Sequence, residues 1–421
     1  MSPLKAVVLA AGEGRRLRPL TGTMGKGMLP VAKKPILSYV VEALADVNVR
    51  DIVMVVGYQK EKVMNHFGDG KDFGVNIEYV NQKFQLGTAH ALYQAKSKVD
   101  GRFLVVPGDS MIGPGPLREL LSTPEGEWGL LVADTSNSSK YGVVEMKGDR
   151  LSALREKQKL TEDLVSSGAP SIFALALWEY QDPSLSTIIN TGTYLLDGQI
   201  FSKLEEKGVG EPLSLTSCIS EEAERRTIRV KRADLWLDAV YPWDILDLNE
   251  HALSSVPKDV QGTIEEGVVI KGPVTIGPQS RIRANTVIQG PVVIGSNTAV
   301  GPSAYISSNV SIGDNCNIGP FSVVKESVLM DDITLGAHSS IYRSVVANGA
   351  SIGDFFGVEE GEYTIKLERY VATKTLGAIV GHDCEISHHV SLAPGMILGN
   401  NCSVGSLRRL RDNIPDDTNV V

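Results

Sequence analysis

The sequence predicts an α/β domain followed by a parallel β-helix, and three observations carry that prediction. Short apolar runs alternate with longer amphipathic stretches from residue 1 to about 250. From Ile264 onward an aliphatic residue recurs at every sixth position. The 421 residues, 42% apolar and 22% charged, are too many for one core and suit two globular units.

In the first half, Val7-Val8-Leu9, Ile52-Val53-Met54-Val55-Val56, Phe103-Leu104-Val105-Val106 and Leu130-Leu131-Val132 read as strands buried on both faces. Segments 35–44, 61–67 and 89–96 read as covering helices. This alternation predicts a largely parallel sheet whose ligands bind beyond the carboxyl ends of the strands.

In the second half the register is Ile264, Ile270, Ile276, Ile282, Ile288, Ile294, Val300, Ile306, Ile312, Ile318 and Val324. It slips by one at Leu329, Leu335 and Ile341, breaks across residues 354–373, and resumes at Val380, Ile386, Leu392, Leu398 and Val404. Gly, Asn, Ser and Pro fill many positions between. Each hexapeptide then forms one side of a coil, with its aliphatic residue pointing inward. Such a solenoid cannot cover all its own faces, so a homotrimer or a multiple of trimers is expected.

Composition narrows the function classes. A net charge of −9 argues against nucleic acid or an anionic membrane as partner, since both rest on clustered positive charge. No segment approaches eighteen uncharged apolar residues and the start lacks a signal-peptide pattern, so a cytoplasmic protein is expected. Cys218, Cys316, Cys384 and Cys402 lack the spacing of a zinc site or a disulfide framework. One stretch departs from the acidic average. Between Met1 and Val41 stand Lys5, Arg15, Arg16, Arg18, Lys26, Lys33 and Lys34 against the single acid Glu13, as a site for a small polyanion requires.

That stretch contains Leu9-Ala10-Ala11-Gly12-Glu13-Gly14-Arg15-Arg16-Leu17, directly after the first strand. Gly12 and Gly14 let the backbone approach a ligand and present its N–H groups, while Arg16 and Lys26 can neutralise phosphate oxygens. A Gly-x-Gly turn alone has a plain structural explanation. The charge cluster and Met28-Leu29-Pro30-Val31 turn it into a phosphate cradle. Along nearly all of its first 250 residues the chain resembles the sugar-phosphate nucleotidylyltransferase (pyrophosphorylase) family. The family string LAAGxGxRLxPLT, then a lysine and MLPV, matches Leu9 to Thr21 and Lys26 to Val31. The usual Arg-Pro-Lys-Pro is here Met24-Gly25-Lys26-Gly27. The lysine is kept and both prolines are lost, which predicts a more flexible loop.

The resemblance implies a Rossmann-like nucleotidylyltransferase domain over residues 1–252 and a left-handed β-helix over 260–421. The latter is similar to that of the bifunctional N-acetylglucosamine-1-phosphate uridylyltransferase/glucosamine-1-phosphate acetyltransferase. Leu9, Ala11, Gly12 and Gly14 fall on nucleotide-binding positions, as do Gln82 and Gly87-Thr88, which resemble the pyrimidine-reading segment. Asp109 in Pro107-Gly108-Asp109 and Asp238 in Trp236-Leu237-Asp238 resemble the family's metal carboxylates. With phosphates and waters they fit the octahedral habit of Mg²⁺. Gly142 in Tyr141-Gly142-Val143, Glu156 in Glu156-Lys157, and Asn190 in Asn190-Thr191-Gly192 match the sugar-binding segments. The implied reaction is in-line attack of a sugar-1-phosphate oxygen on the α-phosphate of UTP or dTTP, with pyrophosphate leaving. Glucose-1-phosphate and N-acetylglucosamine-1-phosphate are the expected acceptors. The nucleophile is already an anion, so positioning and charge neutralisation by Mg²⁺, Arg16 and Lys26 suffice.

The β-helix raises a second reaction, acetyl transfer. His338 falls where a catalytic base is expected and Lys325 on a sugar-phosphate lysine. Ser307, Ile341 and Ser351, however, replace an expected arginine, tyrosine and asparagine. The loop Phe355-Phe356-Gly357-Val358-Glu359-Glu360 is acidic where an anion should bind. A structural, trimerising β-helix with vestigial acetyltransferase positions is therefore predicted. Two other readings of the whole chain stay open: a GDP-mannose-type pyrophosphorylase, and a catalytically weak regulatory or scaffold subunit. Retention of Arg16, Lys26, Asp109 and Asp238 favours the enzyme, and Gln82 with Gly87-Thr88 leans towards a pyrimidine.

Overall fold

The computed structural model describes residues 4–135, 141–155, 188–208, 213–367 and 370–421. The first half opens with β1 (Lys5–Ala10), β2 (Pro30–Val31), β3 (Lys34–Pro35), α1 (Ile36–Asp46), β4 (Asp51–Val56), α2 (Lys60–Phe67) and β5 (Asn76–Asn81). It continues through α3 (Thr88–Gln94), β6 (Arg102–Pro107), β7 (Ser110–Ile112), α4 (Pro114–Leu121), β8 (Trp128–Asp134), β9 (Val143–Lys147) and β10 (Arg150–Arg155). It closes with β11 (Ile188–Asp197), α5 (Gln199–Lys207), α6 (Leu215–Glu222), β12 (Ile228–Arg232), β13 (Trp236–Asp238) and α7 (Asp244–Leu253).

The main sheet runs β5-β4-β1-β6-β11-β8-β12-β10-β9. β5, β4, β1 and β6 are parallel, but β11 enters antiparallel to both β6 and β8. The sheet is therefore mixed rather than largely parallel. Part of the difference is local: only Gly148-Asp149 separates β9 from β10, too little for a crossover, so they pair antiparallel. β1 is covered on both faces. Ala6 and Val8 pack with α1, α2 and α4, while Val7 packs with α3, α5 and α6.

The second half is a left-handed β-helix of three parallel sheets with eight, nine and eight short strands. Ile276, Ile294, Ile312, Leu329, Val346, Val380 and Leu398 form one of its buried columns. Fully burying such a side chain contributes about 1.5–3 kcal/mol. The phase slip has a simple origin: corners are one residue short between Val324 and Leu329 and again between Ile341 and Val346. Pairing stays in register across both, Val324 with Ile341 and Leu329 with Val346. The break is narrower than the sequence suggests. Ile352 and Val358 remain in the coil, and an antiparallel hairpin, Gly361–Leu367 with Tyr370–Leu376, is inserted after them. Ile264 is 37% exposed, because its coil is the first and has no neighbour on one side.

A shared apolar cluster joins the two halves. It contains Leu17, Leu20, Met24 and Leu29 from the cradle, Trp243 and Ile245, and Met330, Ala347 and Ile379 from the β-helix. Asn249 ties the same seam, its Oδ1 accepting from Ala32 N–H and the Ser311 hydroxyl. Among the described residues no helix is long and apolar enough to cross a membrane.

Candidate active site

Beyond the end of β1 the chain turns through Gly12, Glu13 and Gly14 into the 3-10 turn Arg15–Leu17. Gly14 has φ +76°, and a Cβ there would sit 2.8 Å from Lys26 Cβ, so glycine is what lets the lysine approach. A Cβ at Gly12 would meet nothing within 4 Å, so that backbone faces open space. The one acid of the cradle is neutralised. Arg15 and Arg18 pair with Glu13 at 2.9 and 2.5 Å and hold its carboxyl below the usual range. Arg16 lines the cavity and hydrogen-bonds Tyr241.

β7 pairs antiparallel with β13 and sets Asp238 opposite Ser110, which brings Asp238 beside Asp109. Lys26 Nζ lies 2.6 Å from Asp109 Oδ2 and 2.9 Å from Asp238 Oδ1. The two carboxylate oxygens can be no farther apart than those contacts combined. Burial favours the neutral amine, yet Asp109 and Asp238 outweigh it and hold Lys26 charged, well above its ordinary range. Burial, reinforced by Asp109, likewise pushes the Asp238 carboxyl up against the opposing pull of Lys26. Among the described residues no cluster of three or more His, Cys, Asp or Glu could cage a metal alone. Two carboxylates already gathered around a cation are what Mg²⁺ accepts when phosphates and waters complete its shell.

These groups line a cavity of about 390 Å³, with Leu9, Gly12, Gly14, Arg16, Lys26, Tyr141, Asp109 and Asp238 on its wall. A second cavity of about 310 Å³ is lined by Ala11, Gln82, Gln85, Gly87, Thr88, Tyr194 and Thr216 and shares Leu9, Gly12 and Asp109. Together they form one cleft at the carboxyl ends of β1 and β6, where such sheets bind ligands.

In the second cavity Gly87 has φ +93°, and a Cβ there would be 2.6 Å from Leu213 O. Thr88 Oγ1 accepts from Leu215 N–H at 3.1 Å, fixing α3 to α6. Gln82 is buried, 4% exposed. Its Nε2 donates to Gly87 O at 3.2 Å and lies 2.8 Å from His90 Nδ1, so the group it can offer a ligand is its carbonyl oxygen. Sequence reasoning missed Gln85, whose Nε2 donates to Ala11 O at 3.1 Å. It also missed Tyr194 and Thr216, which reach the cleft only through the fold.

Gly142 and Asn190 come together, Asn190 N–H donating to Gly142 O at 3.0 Å. The Asn190 side chain is half-buried: Nδ2 donates to the Tyr194 hydroxyl at 2.7 Å and to Thr216 Oγ1 at 3.4 Å, and Oδ1 accepts from Gly192 N–H at 2.8 Å. It therefore supports Tyr194 at the cleft. Glu156 and Lys157 lie outside the described residues.

In the β-helix, His338 occupies a corner at φ +55°, stacked between Phe321 and Phe355 with ring centroids 4.9 and 5.0 Å apart. Lys325 ends the strand Val323–Lys325 and lies over the Tyr342 ring at 5.2 Å. His338 precedes its strand of that face and Lys325 ends its own, so the two stand towards opposite corners. Segment 355–360 is not an open loop, since Phe356 is buried in the coil.

The two cradle glycines without prolines are not equivalent. Gly25 has φ −68° and ψ 154°, a Cβ there would meet Tyr58 O at 3.5 Å, and its N–H makes no hydrogen bond among the described residues. Gly25→Pro should therefore stabilise the protein by about 0.4–1 kcal/mol in a thermal melt. At Gly27 a Cβ would lie 2.6 Å from Gly108 O, next to Asp109. Gly27→Ala should lower the melting temperature and the activity together.

The nucleotidyl transferase family profile matches residues 5–255, and the profile described as the GMPPB C-terminal domain matches 288–406. The "Bifunctional protein GlmU" of Methanocaldococcus jannaschii is 31% identical over 99% of this chain and 97% of its own length. A GlmU of Methanococcus maripaludis is 35% identical over 96% of this chain and 93% of its own. The glucose-1-phosphate thymidylyltransferase of Streptomyces antibioticus is 31% identical over 66% of this chain and 74% of its own. A Bacillus anthracis structure described as a glucose-1-phosphate thymidylyltransferase shares the fold, with TM-score 0.50 and 24% identity over 59% of this chain and 95% of its own. Matched by its GlmU relatives over nearly its whole length, the chain belongs to the nucleotidyl transferase family, as a sugar-1-phosphate nucleotidyltransferase that carries a C-terminal left-handed β-helix.

Proposed function

We propose that the protein transfers a uridylyl or thymidylyl group from UTP or dTTP to N-acetylglucosamine-1-phosphate or glucose-1-phosphate, releasing pyrophosphate. The observation that carries this reading is the pair Asp109 and Asp238 converging on the Lys26 ammonium at the foot of the glycine cradle. On this reading the triphosphate lies along Gly12 and Gly14, with Arg16 and Lys26 neutralising it, and the sugar phosphate enters past Gly142 and Tyr194. Asp109 and Asp238 would hold Mg²⁺, which would supply further charge neutralisation. The acceptor phosphate needs no general base, so these residues act by positioning and by electrostatics.

The preference for uracil or thymine over cytosine rests on Gln82. With its Nε2 turned to Gly87 and His90, its carbonyl oxygen is the group left to accept the N3–H of uracil or thymine. Cytosine presents an acceptor at that position and is disfavoured. The β-helix serves on this reading as a trimerising scaffold of a cytoplasmic enzyme, with His338 and Lys325 as vestiges of acetyl transfer.

A matrix of each nucleoside triphosphate against each sugar-1-phosphate, with Mg²⁺ and pyrophosphate as readout, tests the proposal. Turnover is expected with UTP or dTTP and to vanish on chelation. GTP with mannose-1-phosphate as the productive pair would replace the pyrimidine reading, and silence in every well would revive the scaffold reading. Acetyl-CoA with glucosamine-1-phosphate, added to the same plate, is expected to give no acetylated product.

A further inference from the structure

Between Pro19 and Pro30 the cradle carries Gly22, Gly25 and Gly27 and no proline, so holding its backbone in one conformation costs more entropy than usual. The fold holds it nevertheless, and part of the grip comes from the other half of the chain. His382, on a β-helix corner and 2% exposed, places Nε2 2.9 Å from Leu20 O and 3.3 Å from Thr23 Oγ1. A carbonyl only accepts, so Nε2 carries the proton and donates. Asn400 fixes His382 by accepting its backbone N–H at 2.8 Å, and its Nδ2 would lie 2.8 Å from a Cβ on Gly22. From the catalytic half, Tyr58 donates to Gly22 O at 3.0 Å and to Thr21 O at 3.3 Å. Leu20 and Met24 are buried in the same apolar cluster as Ala347 and Ile379 of the β-helix.

We propose that His382 is a positioning residue for the nucleoside triphosphate, and that through it the β-helix forms part of the nucleotide site. It acts through residues 20–24, where it holds the Leu20 carbonyl and the Thr23 hydroxyl, and which lead directly into Lys26. This rests on the nucleotidyl-transfer reading of the cleft. A residue that orders a ligand-binding loop supports ground state and transition state alike, so its loss raises KM and spares kcat.

The experiment uses the full chain. His382→Leu removes the donor, and His382→Gln restores an N–H at the distance of Nε2. In His382→Leu the KM for the nucleoside triphosphate should rise about tenfold, with kcat within about twofold and the sugar-1-phosphate KM unchanged. Amide exchange across residues 20–24 of the ligand-free protein should quicken about tenfold or more. His382→Gln should reverse both changes. Ile386→Val, a core change in the same coil, should lower stability and move neither. If His382→Leu does not fold, Asn400→Ala carries the same expectations. Wild-type exchange and KM in His382→Leu would overturn the proposal, as would failure of His382→Gln to rescue or the same shifts in Ile386→Val. Should the wild type transfer no nucleotide, the exchange arm still decides the clamp, while the reading of the cleft fails by itself.

Discussion

If Asp109 holds the metal as proposed, Asp109→Asn is expected to lower kcat/KM about a thousandfold, because metal-centred neutralisation of transition-state charge supplies several kcal/mol and each 1.36 kcal/mol is tenfold in rate. The substitution keeps the shape of the side chain and an oxygen able to accept from Lys26. It removes the negative charge and turns one acceptor oxygen into an amide donor. Lys26 retains Asp238 at 2.9 Å, and the Asp109 side chain is already 35% exposed, so the melting temperature should change little. The signature is therefore a large kinetic loss in a normally folded protein, with half-saturation by Mg²⁺ moved to higher concentration. Wild-type turnover and an unchanged Mg²⁺ titration in Asp109→Asn would remove Asp109 from the metal site.

What the sequence made legible followed from periodicity and local charge. Val7, Val53 and Val105 announce strands because a strand covered on both faces must be apolar at nearly every position. The β-helix declares itself because one buried residue per side of each coil leaves a sustained spacing of six. The cradle is visible because glycine and basic residues crowd into one short stretch. Features set by tertiary placement left no such trace. The antiparallel entry of β11 depends on which strand lies beside it, and periodicity carries no information on partners. Tyr194 and Thr216 look like ordinary residues until α6 and β11 bring them to Gln82. Asn190 matches a sugar-binding motif, but nothing in the motif shows that its amide also bonds Tyr194 and Gly192. Gly25 and Gly27 look interchangeable as letters and differ only in what surrounds them, Tyr58 O at a comfortable distance or Gly108 O in the way. His382 stands 362 residues from Leu20, and no motif links them.

Lys26→Met should produce the other large effect, on rate and stability at once. The side chain is 14% exposed and bridges Asp109 and Asp238, so replacing it with an apolar chain of similar length leaves two carboxylates facing each other without a counter-ion. Removing one partner of a buried charge pair typically costs 3–5 kcal/mol, and the low end, about 3 kcal/mol, applies because Asp109 can be rehydrated. Catalysis should fall by roughly 10²–10³, the loss seen when one preorganised charge-stabilising group is removed. Lys26 is also the main influence drawing the Asp238 carboxyl down, so without it burial and Asp109 push that group further up. The carboxylate pair should then take up a proton or another cation. Thermal melts should show Mg²⁺ stabilising Lys26→Met more than the wild type, since in the variant no ammonium has to be displaced before the metal binds. Differential scanning fluorimetry across a Mg²⁺ series, read beside pyrophosphate release, separates the two roles of the residue. A variant that melts with the wild type and ignores Mg²⁺ would mean that Asp109 and Asp238 do not form a cation site, and the reading of the cleft would have to be rebuilt from the cradle alone.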